Sequence, residues 1–182
     1  KKLSTVSMVL CGMFAALVAI GAFIQIPVPY MDYFTLQFFF VLLAGLILGA
    51  DKGAISVGCY VLLGLVGVPI FAAGGGIGYI FRPSFGYLVG FIVSAYVTGK
   101  VCEKLKASYK NYLLACLAGF VVTYAIGIVY KFIILNFYAH TPATLGVIFL
   151  SCFPLDMPGD FVLCLLAAGV GLRMRKSRFY LS

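Results

Sequence analysis

The chain has no tryptophan, a single histidine (His140) and only five acidic residues in 182. Charged residues make up 10% of it, against roughly 25% in a soluble domain. No two cysteines stand in a Cys-x-x-Cys spacing, so with one histidine there is no ligand set for zinc or an iron–sulfur cluster. A Gly-x-x-x-x-Gly-Lys-Ser/Thr loop is missing, so the chain is not expected to hydrolyse ATP itself. There is no Gly-x-Ser-x-Gly elbow, and Ser84 has no neighbouring base; no catalytic residues are assigned. No Asn-x-Ser/Thr sequon occurs.

What is present is apolar. Hydrophobic residues make up 64% of the chain and the mean hydropathy is +1.14. A soluble protein of this size cannot bury that much apolar surface. The long apolar runs predict an all-α integral membrane protein, a bundle of six transmembrane helices forming one membrane domain over 1–182. Spans are expected at 6–26, 34–49, 54–68, 86–101, 112–137 and 160–176. The outer loops are then 27–33, 69–85 and 138–159. Ala50-Asp-Lys-Gly53 reads as a short turn. The apolar stretch Thr144–Phe153 is too short to cross a bilayer and reads as an interfacial or re-entrant helix. The first run is too long for a signal-peptide core and is read as a retained span.

The formal net charge of +8 lies in clusters between spans, a membrane-orientation signal rather than a nucleic-acid footprint. Eleven of the 13 basic residues fall on one side: Lys1, Lys2, Lys52, four between 100 and 110, and four from Arg173 on. Both termini are therefore expected in the cytoplasm. Arg82 alone lies on the outer side, and Lys131 lies within the fifth span.

Lys131 is costly inside a membrane unless it snorkels outward or faces a partner or water. Asp160, after Pro158-Gly159, reads as a helix N-cap, a ligand group or both. Arg82 stands among Tyr79, Phe81, Phe85 and Tyr87, an aromatic group ill suited to open solvent. The topology brings all three charges to similar depth, suggesting a pocket for an anionic, mostly apolar ligand. Glycines at 74–76 would let backbone approach it. Asp32 and Asp156 read as solvated. In the first span, Ala15 and Ala19 stand four apart, as do Gly12 and Ala16; such spacing suits close helix approach, within the bundle or with another protein. The glycines at 45, 49 and 53 and at 86 and 90 read as internal packing.

The order of Pro27-Val-Pro29, Thr35-Leu-Gln37, Gly45-x-x-Leu-Gly49, Tyr60-x-x-x-Gly64-x-x-Gly67-Val-Pro-Ile-Phe71, Gly74-Gly-Gly76, Pro83-Ser-Phe-Gly-Tyr-Leu-Val-Gly-Phe91 and Pro158-Gly-Asp160 resembles the BioY-type biotin-binding components of energy-coupling factor (ECF) transporters, over nearly the whole chain. That resemblance implies a vitamin-capture subunit of the cell membrane, without a cofactor. It would dock on a coupling membrane protein bearing two cytoplasmic ATPases, through an Ala-x-x-x-Ala that Ala15 and Ala19 match. Biotin's ureido ring would meet Asp160, with Asn136 or Lys131 at its carbonyl. Its valerate would meet Arg82 or Lys131, and Tyr33, Gln37, Gly75, Gly76, Tyr79, Phe81 and Tyr87 would complete the site. Three departures stand out: Tyr30–Phe34 separates Pro-x-Pro from Thr-x-Gln, Arg82-Pro-Ser-Phe replaces a run of small residues, and Leu163 stands where a lysine is frequent. Capture of riboflavin or thiamine and a small intramembrane enzyme are the alternatives.

Overall fold

Ser4 begins the first helix, its hydroxyl accepting from the Ser7 N–H at 3.2 Å, as an N-cap serine does. Helix α1 then runs Thr5–Phe23. The computed structural model describes residues 4–27, 33–141, 143–152 and 156–178. After α1 a short antiparallel hairpin pairs β1 (Gln25–Pro27) with β2 (Tyr33–Thr35). Helices α2 (Gln37–Leu48), α3 (Ala50–Val66), α4 (Phe85–Lys104) and α5 (Tyr109–Ile133) follow. A π-turn (Ile134–Tyr138) extends α5 before α6 (Leu145–Cys152) and α7 (Asp156–Arg178).

Helix α2 is the hub, packed against α1, α3, α4 and α7. Its Val41, Leu42 and Ala44 are wholly buried. Because lipid is as apolar as a leucine side chain, membrane helices associate through close packing at small residues. Here α2, α3 and α4 meet at glycines. A Cβ on Gly45 would lie 2.5 Å from the Ala95 carbonyl oxygen, and one on Gly53 would lie 3.0 Å from that of Ala44. Gly90 meets the Thr123 backbone, and Gly86 meets the Tyr130 ring. The glycine spacings therefore serve internal packing, as expected. The outward faces stay apolar; Val66 is 84% and Val9 66% exposed.

Four described helices are long and apolar enough to cross a membrane: Thr5–Phe23, Phe85–Lys104, Tyr109–Tyr138 and Asp156–Met174. Helices α2 and α3, with 12 and 17 residues, fall short of the roughly 20 that a straight crossing needs. The expected short helix in 138–159 is present as α6. Several expected boundaries change. The turn at 50–53 is helix instead. Gly49 alone, at φ +86°, separates α2 from α3, and Glu103 of α4 accepts the Ala50 N–H at 2.9 Å. The 69–85 loop contains a 3₁₀ turn, Ile77–Phe81. The last helix starts at Asp156, not Asp160, because Pro158 sits in the first turn, where an N–H has no partner to lose. Asp160 is therefore inside the helix, and an N-cap role is excluded. Much of the expected 27–33 loop, including Asp32, lies outside the described residues.

Candidate functional site

One end of the bundle holds a cavity of about 800 Å³, its open mouth included. Helix α7 contributes Asp156 and Asp160, one turn apart on the same face. Helix α5 contributes Tyr124 and Lys131, two turns apart. Tyr87, Leu88 and Phe91 come from α4, and Phe34 and Thr35 from the hairpin. Gln37 and Phe38 open α2, while Ala72, Ala73, Tyr79 and Ser84 come from the segment between α3 and α4.

The polar groups are held by a second layer. The Tyr124 hydroxyl donates to Asp160 Oδ2 at 2.8 Å. The Tyr124 ring is fixed by Phe120, 4.7 Å away, and by an edge contact with Tyr87 at 5.8 Å. Tyr87 Oη and Cys152 Sγ of α6 share a hydrogen bond of 3.1 Å. Gln37 Nε2 donates to Tyr60 Oη at 2.6 Å, and Tyr60 donates onward to the Ile70 carbonyl at 3.0 Å. That chain ties α2, α3 and the loop over the cavity together, while Gln37 Oε1 accepts from Thr35. The Ser84 hydroxyl is buried in this wall with no hydrogen-bond partner in the described protein. Such orphans are uncommon and call for an explanation.

Of the residues expected at the site, the cavity brings together Gln37, Tyr79, Tyr87, Lys131 and Asp160. Others stand apart from its lining. Arg82 is exposed and outside the lining, its guanidinium carbon 5.3 Å from the Tyr79 ring centre. Phe81 stacks on Tyr138 at 4.7 Å and is half exposed. Asn136 spends its amide on the Phe132 and Ala143 carbonyls, both at 3.0 Å, and so fastens the chain after the π-turn. Gly75 packs on the Val68 and Gly64 carbonyls, and Gly76 donates its N–H to Gly64 at 2.7 Å. These glycines anchor the loop to α3. Tyr33 pairs with Pro27 in the hairpin.

Asp156, expected in solvent, lines the cavity instead. It stands four residues before Asp160, a spacing that signals one face once both are known to be helical. Tyr124 could have been found from its seven-residue spacing to Lys131 on α5. Leu163, at the position where a lysine is frequent, is buried in the core, and Lys131 supplies the ammonium of the cavity.

The expected docking pair, Ala15 and Ala19, lies on the inward side of α1. Ala15 is 9% exposed within the core and Ala19 packs partly against it. The small residues of α1 that face outward are Gly12 and Ala16. Ser56 on α3 donates to the Cys11 carbonyl at 2.7 Å and holds that inward face in place.

The fold has a counterpart among solved structures. A solved S-component for biotin from an ECF-type ABC transporter superposes with a TM-score of 0.83, at 24% identity, covering 96% of this chain and 95% of its own. At that identity the likeness establishes the fold. A probable biotin transporter BioY from Lysinibacillus sphaericus is 40% identical over 177 residues, 97% of this chain and 90% of that protein. The biotin transporter BioY of Thermotoga maritima is 39% identical over 169 residues, 91% of this chain and 93% of that one. The BioY family model matches residues 1–179, and the chain belongs to the BioY family.

Proposed function

We propose that the chain binds biotin and takes part in its uptake as the substrate-capture (S) component of an ECF transporter. The observation that carries this reading is the cavity itself: a carboxylate, a lysine ammonium and aromatic walls in a chain of the BioY family. The fused thioether ring of biotin is apolar and suits Phe38, Phe91, Tyr79 and Tyr87. Its ureido N–H groups need acceptors, which Asp160 offers beside Tyr124. Its valerate needs a cation, which Lys131 offers. The orphan Ser84 hydroxyl is free to bond a polar atom of the ligand.

In this reading the chain is one membrane domain, with α1 to α5 and α7 crossing the bilayer and α6 at the outer surface. Both ends are cytoplasmic, and the cavity opens outward. ATP hydrolysis belongs to partner ATPases carried by a coupling membrane subunit. A thermal-shift screen of the purified protein against biotin, thiamine and riboflavin tests the function. Stabilisation by biotin alone supports it, and stabilisation by another vitamin alone overturns it.

Orientation has its own test. Cys59 is the exposed one among the six cysteines, so a Cys59→Ala background leaves the five buried thiols in place. In that background, an impermeant thiol reagent added to intact cells is expected to label Ile77→Cys and spare Lys106→Cys. The opposite pattern overturns the topology.

The role of Lys131 separates from snorkelling by substitution. Lys131→Met keeps an apolar stem and removes the charge. It is expected to weaken biotin binding by roughly 10- to 100-fold, the range of a charge-assisted hydrogen bond, without loss of thermal stability. Biotin methyl ester, which has no carboxylate, should bind parent and variant alike. Equal affinity of the two proteins for biotin itself would remove Lys131 from the site.

A further inference from the structure

The charges in the cavity do not balance for an acidic ligand. Among the described residues its lining carries two carboxylates, Asp156 and Asp160, and one ammonium, Lys131. With every group ionised the lining has a net charge of −1. A biotin carboxylate would raise this to −2 in a space walled by Phe34, Phe38, Phe91 and tyrosines. All three charges line one largely apolar cavity, so a ligand carboxylate held there lies among them, where salt screens less than in bulk water.

No other residue of the lining adds a charge. From α5, the Tyr124 hydroxyl donates a hydrogen bond to Asp160 as a neutral phenol. From α4 and α6, Tyr87 and Cys152 are hydrogen-bonded to each other. On α7 itself, Cys164 lies one turn beyond Asp160 with its thiol toward the Cys116 carbonyl. Tyr79 from the 3₁₀ turn is a phenol in the wall, and the exposed Arg82 lies over its ring outside the lining. His140 is exposed beyond the π-turn.

We infer that Asp156 sets the cavity's preference for the charge on the ligand tail, so that an anionic tail is bound only together with one proton on the Asp156–Asp160 pair, whereas an uncharged tail needs none. The proton moves from solvent or buffer to a carboxylate oxygen of the pair, and no other bond changes. Two neighbouring carboxylates beside an incoming anion are the arrangement in which one of them keeps a proton. The site is therefore suited to biotin derivatives with a neutral amide or ester tail as well as to biotin, and the two classes part company as pH rises. This inference rests on biotin being the ligand.

The test is calorimetric titration of the detergent-purified chain from about pH 6 to about pH 9.5, with biotin and with biotin amide. Where the empty cavity has released the proton, biotin affinity is expected to fall about tenfold per pH unit, and the binding enthalpy to change with the buffer's ionisation enthalpy by about one proton per biotin. Biotin amide should show neither effect. In Asp156→Asn, the fall with pH for biotin should vanish. Biotin binding that is independent of both pH and buffer overturns the inference. So does a fall that the amide shares, or one that persists in Asp156→Asn, which would point to Lys131. Failure of both ligands to bind at any pH overturns instead the biotin reading on which the inference rests.

Discussion

Asp160→Asn is expected to weaken biotin binding by roughly 10- to 150-fold, the equivalent of about 1.5–3 kcal/mol for one hydrogen bond to a charged group. Asparagine has nearly the same size and keeps a carbonyl oxygen for the Tyr124 hydroxyl, which now donates to Oδ2 at 2.8 Å. What it loses is the second acceptor. Its NH₂ group would point a donor at the ureido N–H, so one pair of donors is left facing each other. A capping role for Asp160 would have predicted little change, since asparagine caps well. That role is excluded, because α7 begins at Asp156 and Asp160 is its fifth residue. Titration of the variant with biotin, alongside its unfolding temperature without ligand, makes the comparison. Parental affinity in a stably folded variant would remove Asp160 from the ligand.

The membrane class and the long helices were legible in the sequence because they follow from local composition. The ends of α1, α4 and α5 fall within a few residues of the expected spans, since long apolar runs fix them. The α2–α3 junction is legible only in part: Gly49 closes α2 as expected, but the turn after it is absent. Asp51 and Lys52 look like a polar turn, and the acceptor that lets helix resume at Ala50 comes from Glu103, 53 residues away. The start of α7 was masked for a different reason. Pro158-Gly159 looks like a break, but proline in the first turn of a helix has no hydrogen bond to forfeit. Read as a loop residue, Asp156 has no helix face to share with Asp160.

The site was legible where a charge was expensive. Lys131 and Asp160 were singled out because a bilayer does not tolerate them idly, and both line the cavity. Arg82 follows from its aromatic neighbours alone, and adjacency in sequence does not say whether a side chain reaches into a cavity. Tyr124 and Gln37 differ again. Their importance comes from partners on other helices, Asp160 for one and Tyr60 for the other, and no local pattern announces such pairs.

Helix α1 offers the sharpest separation of packing from docking. Ala16→Trp is expected to abolish co-purification with the coupling subunit while biotin binding and unfolding temperature stay close to the parent's. Ala15→Trp is expected to damage the bundle itself. The two positions are adjacent in sequence but about 100° apart around the helix, Ala15 inward and Ala16 outward. Ala15 is 9% exposed, within the same core as Phe14 and Val18. An indole there has no room, and overpacking a well-filled core costs about 1–3 kcal/mol or more. Ala16 is exposed, and Gly12, one turn before it, would have nothing within 4 Å of an added Cβ. Together they form a flat strip on which another helix can lie closely, and a single large ring would lift it away. Substitution on an outward face ordinarily changes stability by less than about 0.5 kcal/mol, so lost association at Ala16 would not be a folding effect. The strip is flanked by Val9 and Met13, 66% and 48% exposed, so the partner would meet an apolar surface with small residues at its centre. Pull-down of the coupling subunit, read beside thermal unfolding of each variant, decides between the faces. A stable Ala15→Trp that loses the partner, with Ala16→Trp retaining it, would return docking to the Ala15–Ala19 face.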